Sequence, residues 1–366
     1  MAARTTSVDP ACSPENRTKP LSKQDFAGRL IAWQAGHGRH DLPWQHSREP
    51  YRVWLSEIML QQTQVDTVIP YYLRFLTRFP ALADLAGAPQ EAVLGLWSGL
   101  GYYARARNLH KAAQVVMAEH GGQFPRRAED IARLPGIGRS TAAAIAAFCF
   151  GERVPILDGN VKRVLCRAFG VDGFPGERAV EQRLWSLAAE LLPESGVDTY
   201  IQAQMDLGAT VCTRTRPACG RCPLADDCVA RREERTAELP AARPRKTPPR
   251  RSAQVVVVRA GDAVLLERRP PAGIWGGLLA LPEAGEDGAA AWVAQRFGEV
   301  AGGSELPPLT HAFTHFVLEI RPWLVDLPGT PPLAADGSLH WQALDALDEA
   351  PLPTPVRSIL RGLRQG

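Results

Sequence analysis

Residues 131–148 read IARLPGIGRSTAAAIAAF, and how they are read decides the fold. An apolar turn ends at LPGIG, and a helix of small residues begins at once. Gly136 and Gly138 permit positive φ and leave backbone N–H groups unobstructed. Such amides, beside a helix N-terminus, offer a seat for a phosphate oxygen. The string predicts a corner between two helices that holds a sugar–phosphate backbone without reading its bases.

The flanking sequence is helical in period. YRVWLSEIMLQQTQVDTVIPYYLRFLTRF (51–79) and, past a Gly-marked break, EAVLGLWSGLGYYARARNLHKAAQVVMAEH (91–120) repeat apolar residues at i, i+3, i+4. AVEQRLWSLAAELL (179–192) adds a further helix, and no alternating strand pattern interrupts them. Residues 21–235 therefore form an all-α region, preceded by a disordered leader, 1–20, with no apolar signal segment. Residues 236–251 are Pro-rich and basic and read as an extended linker. Beyond it, in 252–366, QVVVVRAGDAVLLERR signals a hairpin around Gly-Asp, AAAWVAQRFGE a helix, HAFTHFVLEIRPWLVDL a strand and PVRSILRGLR a closing helix. The tail is a separate α+β domain.

Composition bounds the function. The formal charge is only +3, but RPRKTPPRR (243–251) concentrates positive charge where a polyanion could meet it. No apolar run approaches the ~20 residues that span a bilayer, so no membrane partner is expected. The location expected is the cytoplasm, on the nucleoid if the source is bacterial.

CTRTRPACGRCPLADDC (212–228) places four cysteines in seventeen residues, with the spacing C-x6-C-x2-C-x5-C. Uneven spacing favours an iron–sulfur cluster held by Cys212, Cys219, Cys222 and Cys228. Zinc remains an alternative, although only Cys219 and Cys222 form a short pair; so do free or disulfide cysteines. Cys149 and Cys166 read as small buried hydrophobes, with Cys12 apart in the leader. Arg214, Arg216 and Arg221 would give the loop fixed positive charge suited to phosphate.

Two carboxyls sit in unlike surroundings. Glu57 has Trp54, Leu55, Ile58, Met59 and Leu60 about it, and desolvation would hold its proton near neutrality. Asp158 ends an extended VPIL run where a helix starts, so cap hydrogen bonds and the helix dipole favour its anion. One proton-holding and one ionised carboxyl form a pair suited to cleaving glycosidic bonds.

WLSEIMLQQTQV, GLGYYARARNLHKAA, LPGIGRSTA, ILDGNVKRVL and the cysteine loop together resemble the A/G-specific adenine DNA glycosylases of the endonuclease III-like helix-hairpin-helix superfamily. The resemblance runs from about residue 21 into the tail. It implies a multidomain chain: an all-α helix-hairpin-helix glycosylase with a [4Fe–4S] loop, then an α+β Nudix-like domain. It implies a monomeric enzyme that removes adenine mispaired with 8-oxoguanine, or with guanine, in double-stranded DNA. By resemblance Glu57 protonates adenine N7, Asp158 stabilises or traps the anomeric carbon, Asn160 supports Asp158 and Gln202 reads the adenine edge. Trp44 and Leu60 wall the pocket, and Gln62 and Tyr102 wedge into the duplex. Ser140 stands where bifunctional relatives carry a Schiff-base lysine, so excision without strand cleavage is expected. Phe313, Thr314 and His315 match the family's Phe-Ser-His loop that meets the damaged base, with Thr314 replacing the serine. The tail lacks a REx2ExxG cluster, which argues against a Mg2+-dependent pyrophosphatase. A non-catalytic, redox-sensing DNA-binding protein is the remaining alternative, and the two matched carboxyls speak against it.

Overall fold

A computed structural model of the chain describes residues 23–244, 247–271, 273–300, 302–333, 338–348 and 350–363. The leader with Cys12, and residues 245 and 246 of the basic run, lie outside the described residues. In chain order the helices are α1 (Lys23–His37), α2 (Pro50–Leu60), α3 (Val65–Arg78), α4 (Leu82–Gly87), α5 (Gln90–Trp97), α6 (Ala104–Glu119), α7 (Ala128–Ile131), α8 (Arg139–Phe150), α9 (Gly159–Phe169), α10 (Arg178–Glu190), α11 (Val197–Thr210) and α12 (Val229–Arg232). No strand occurs among the described residues before β1 (Arg250–Ala260).

Within the described residues the chain divides into two compact units. Met1–Arg39 groups with Arg153–Arg243, and His40–Glu152 groups with Pro244–Gly366. In the first unit α11 packs against both α1 and α9. Helix α9 turns Val161, Val164, Leu165, Cys166 and Ala168 inward. Phe26 of α1 meets Phe169 at 5.4 Å and the edge of Tyr200 at 6.3 Å. The helix stops at Gly170, whose φ is +63° and where a Cβ would strike Val229 at 2.6 Å.

In the second unit α2 and α8 lie against each other. Ala142, Ala143, Ala144, Ala146 and Ala147 are all buried, and their small side chains let the two backbones approach. Phe75 packs on Phe79 and on the edge of Trp97.

The same unit holds the sheet: β1, β2 (Ala263–Arg268), β3 (Leu279–Ala280), β4 (Ser304–Glu305), β5 (Leu309–Ala312), β6 (Val317–Leu327) and β7 (Leu339–Ala343), with α13 (Gly288–Phe297) and α14 (Thr354–Leu363). The path runs β3-β2-β1-β6-β4, with β5 on β6 and β7 on β2. The expected hairpin forms around Gly261, with Ala260 opposite Ala263. The valine run is continuous because both faces are covered. Val255 and Val257 join a core with Val356 and Leu360 of α14. Val256 and Val258 join a second core with Ala289 and Val293 of α13.

The sheet domain is tied to the helices of its own unit through backbone. Ser98 Oγ and Tyr103 Oη both donate to the Leu352 carbonyl at 3.1 Å. Arg357 Nη2 donates to Ser98 Oγ at 2.9 Å, and Arg268 pairs with Glu91 at 2.8 Å.

Two stretches that read as continuous are interrupted. HAFTHFVLEIRPWLVDL is not one strand but β5, a tight turn and β6, closed by a hydrogen bond from Phe313 N to Phe316 O at 2.9 Å. The apolar period over 51–79 breaks at Gln62, where φ is +57°.

Candidate active site and nucleic-acid interface

In the second unit Glu57 is half-buried on α2 between the buried Trp54, Leu55, Ile58 and Met59. It lies near Cys149 of α8, whose thiol is pushed up to about 12 by burial and then by the Glu57 charge. Trp44 is buried, edge-on to Tyr72 at 5.4 Å, and Leu60, the last residue of α2, is half-buried.

What ends α2 is an arginine that the sequence reading passed over. Arg105 Nη1 donates to the carbonyls of Ile58, Met59 and Gln61 at 2.8, 2.9 and 2.7 Å. Its Nη2 donates to Thr63 Oγ1 and to the carbonyls of Leu100 and Gly101, each at 3.2 Å. The guanidinium thus caps the C-terminal carbonyls of α2 and also grips the segment before α6. Burial lowers it to about 10. Each gripped corner presents an exposed residue with left-handed backbone, Gln62 at φ +57° and Tyr102 at φ +49°. A non-glycine residue rarely adopts that conformation without support from its surroundings. Arginines adjoining GLGYY were the available signal, but periodicity counts them only as a polar face.

The helix-hairpin-helix corner runs from α7 into α8. Leu134 and Ile137 are buried beneath it, and Gly138 caps α8. The two glycines differ in role. Gly136 has φ +75°, and a Cβ there would lie 2.5 Å from Asn108 Cβ. Gly138 has an ordinary φ of −84°, and nothing lies within 4 Å of where its Cβ would be. It therefore does not use the positive φ that the sequence allowed it; its missing side chain leaves the approach to the helix end open. Ser140 is half-buried in the first turn of α8.

In the first unit Asp158 is the N-cap of α9. Its Oδ1 accepts from Val161 N at 2.8 Å, and its Oδ2 from Asn160 Nδ2 at 3.3 Å. Asn160 Oδ1 accepts in turn from Arg163 Nη2 at 2.8 Å, which also donates to the Gly208 carbonyl at 2.7 Å. Arg163 Nε reaches the carbonyl of Cys212 at 2.7 Å. One hydrogen-bonded chain thus runs from the Asp158 carboxyl to the first cysteine of the loop. The cap bonds and Arg163 favour the anion as the sequence led us to expect, but burial is the larger effect and raises the carboxyl's pKa. The sequence showed the cap and could not show the depth. Gln202 of α11 donates to the buried Asp206 at 2.9 Å, and Arg39 pairs with the same carboxylate at 2.7 Å.

The four cysteines line one cavity, with Arg167 beside them. Arg167 is buried; it donates to Cys212 Sγ at 3.4 Å, to the Thr213 carbonyl at 2.7 Å and to the Arg214 carbonyl at 3.0 Å. None of the described cysteines is in a disulfide. Burial raises the thiols of Cys222 and Cys228, and their sulfur neighbours raise them further, so the thiolates need a cationic centre. The shared cavity suits an iron–sulfur cluster, which brings its own iron and sulfide between its cysteine ligands. Arg214, Arg216 and Arg221 are exposed around it. Cys166 is buried as expected, while Cys149 is only half-buried.

Back in the second unit, the turn after β5 exposes Thr314 and His315 at its tip. Phe313, behind them, stacks on Phe316 with centroids 4.5 Å apart. Helix α13 carries no acidic residue, in keeping with the missing glutamate cluster.

Residues 55–190 match the family described as "HhH-GPD superfamily base excision DNA repair protein". Residues 212–228 match the iron–sulfur binding domain of endonuclease III, and 253–362 a NUDIX domain. A thermostable thymine-DNA glycosylase of known structure aligns with a TM-score of 0.53 at 29% identity, over 58% of this chain and 97% of its own. The class so defined is a base-excision DNA repair glycosylase with a [4Fe–4S] cluster as cofactor and a Nudix-like domain. The adenine DNA glycosylase of Buchnera aphidicola (subsp. Acyrthosiphon pisum, strain APS) is 35% identical over 94% of this chain and 99% of its own. That of Homo sapiens is 34% identical over 92% and 73%. The chain belongs to the adenine DNA glycosylase family.

Proposed function

We propose that the chain hydrolyses the N-glycosidic bond of adenine paired with 8-oxoguanine, or with guanine, in duplex DNA, working as a monomer and without cleaving the strand. The observation that carries this reading is the setting of Asp158: a half-buried carboxyl that accepts a hydrogen bond on each oxygen and whose anion desolvation disfavours more than its cap bonds and Arg163 favour it. Such a group gains most when positive charge develops beside it, as at C1′ in an oxocarbenium-like transition state. Asn160 and the Val161 amide keep it aimed.

Glu57, in its apolar wall, is the acid that delivers a proton to adenine N7 and so weakens the C1′–N9 bond. Adenine must leave the stack to be reached. Gln62 and Tyr102, exposed on corners that Arg105 holds, are suited to fill the gap. Trp44 and Leu60 bound the extruded base, and Gln202, its amide held by Asp206, contacts the adenine edge. Water then adds at C1′, and the proton it releases returns to the Glu57 carboxylate. The corner at Gly136 and Gly138 takes a backbone phosphate, and the Thr314–His315 tip meets the oxidised purine. The four loop cysteines would hold the cluster, which when bound ties the arginine-bearing loop into one piece. Ser140 has no amine and forms no imine with the abasic sugar. No described helix is long and apolar enough to cross a membrane, and the cytoplasm, with the nucleoid if bacterial, is the proposed site of work.

The test is incubation with A:8-oxoguanine and A:G duplexes. Abasic product, with strand breaks only after alkali, is expected. Glu57→Gln should slow excision by about 10²–10⁴; full activity in that variant would end the assignment.

A further inference from the structure

Arg269, Pro270 and residues 275–278 are drawn together by hydrogen bonds. Gly277 N donates to the carbonyls of Arg269 and Pro270 at 3.2 and 3.1 Å, and Leu278 N to that of Trp275 at 2.9 Å. The closure puts Trp275 at φ +56°, a conformation that a side-chain-bearing residue rarely adopts. At Gly276 a Cβ would lie 2.4 Å from the Pro271 carbonyl oxygen. Strain of this kind persists where neighbours impose it.

The loop has two contacts of different kinds. Its backbone meets the helices: Arg107 Nη1, in the first turn of α6, donates to the Gly276 carbonyl at 2.8 Å. A Cβ at Gly277 would stand 3.5 Å from Leu94 of α5. Its ring meets the reading turn: Trp275 lies 5.9 Å from Phe313 and 6.2 Å from His311, centroid to centroid. His311 is edge-on to Phe313 at 4.6 Å, and Arg251 covers Phe316 at 4.8 Å. Helix α6 begins two residues after Tyr102, with Tyr103 as its N-cap. A short path therefore joins the exposed tyrosine to the Thr314–His315 tip: α6, Arg107, the Gly276 carbonyl, the Trp275 ring, Phe313.

We propose that Trp275 is a positioning residue for specificity. Anchored on α6 through Arg107, it sets where the Thr314–His315 tip stands relative to Tyr102, and thereby how strongly adenine opposite 8-oxoguanine is preferred over adenine opposite guanine. The inference rests on the reading of that tip as the part that meets the oxidised purine. Docking of the sheet domain as a whole does not depend on Trp275, because Ser98, Tyr103, Arg268 and Arg357 hold it elsewhere.

The experiment measures single-turnover excision rates of the full chain on both duplexes and takes their ratio. Trp275→Leu lowers the preference about fivefold, the scale of a lost aromatic pair, and Trp275→Phe restores most of it. Arg107→Met, which keeps the ring and cuts the anchor, lowers it in the same direction, about threefold, the scale of one hydrogen bond; it stands in should the leucine variant not fold. Combined with His315→Ala, Trp275→Leu takes the preference no lower than His315→Ala alone. If His315→Ala lowers the ratio while Trp275→Leu and Arg107→Met leave it unchanged, or if their losses add to that of His315→Ala, the positioning role is overturned. If His315→Ala itself leaves the ratio unchanged, the reading of the tip falls, and the inference with it.

Discussion

Arg105 in one unit and the pair Arg163 and Arg167 in the other use half-buried or buried guanidiniums in the same way and for different ends. All three give most of their donors to backbone carbonyls rather than to carboxylates. Arg105 holds Gln62 and Tyr102 in left-handed conformations by hydrogen bonds, and Trp97 Nε1 adds one more to the Gly101 carbonyl at 3.2 Å. Arg163 and Arg167 organise a loop that the cluster also holds. Five donors in a fixed fork let one arginine satisfy more converging carbonyls than the three donors of a lysine could. Where a cluster also ties the loop, losing one arginine leaves it held; where hydrogen bonds alone hold, the corner depends on the arginine.

The largest effect should therefore follow Arg105→Met. It strands carbonyls at the end of α2 and frees both corners, costing about 3 kcal/mol or more. Thermal unfolding reads the first effect, and affinity for a mispaired duplex, expected to fall with it, reads the second. Arg167→Met should cost less, about 2 kcal/mol, and should show as faster loss of the cluster's visible absorbance on dilution. Equal destabilisation by the two variants would remove the distinction between corners held by hydrogen bonds and a loop that a cluster also holds.

Gly208→Ala probes the link between the two roles within the first unit. A Cβ there would lie 2.5 Å from Asn160 Cβ, so α9 and α11 must part or Asn160 must turn away from Asp158. About 1–3 kcal/mol of strain is expected, with excision reduced more than DNA affinity; a variant with normal excision would show that Asn160 can shift without cost.

The smallest effect is a gain. Asp158→Asn keeps the cap, because the amide oxygen accepts from Val161 N as the carboxylate does. Burial raises the Asp158 carboxyl above its unfolded value. A group so shifted contributes its stability below the unfolded pKa and loses it as pH rises through the folded one. The inactive variant should thus melt higher than wild type at neutral pH, by about 2–4 °C, and the gap should close as pH falls toward about 4. A gap that widens on acidification would mean that the anion is the favoured form in the free protein.

How far the sequence reached follows from the range of each interaction. The helix-hairpin-helix corner, the cysteine loop, the Asp158 cap and the hairpin at Gly261 are local, and their residue types declare them within a few positions. Arg105 and Arg163 were legible only as charges on amphipathic helices. Their acceptors lie up to forty-seven and forty-nine residues away, in carbonyls that carry no residue-type signal. Nothing in its own stretch of sequence marked Trp275, because the rings it meets, His311 and Phe313, lie far along the chain.

By itself the sequence determined the helical region, the sheet domain, the cysteine-loop motif and the family, because period, cap chemistry and cysteine spacing act over short stretches of chain. The tertiary structure alone decided which carbonyls the arginines grip, how deeply Asp158 is buried and what stands behind the Thr314–His315 tip. Those depend on which distant backbones come together, and on how much water is excluded when they do.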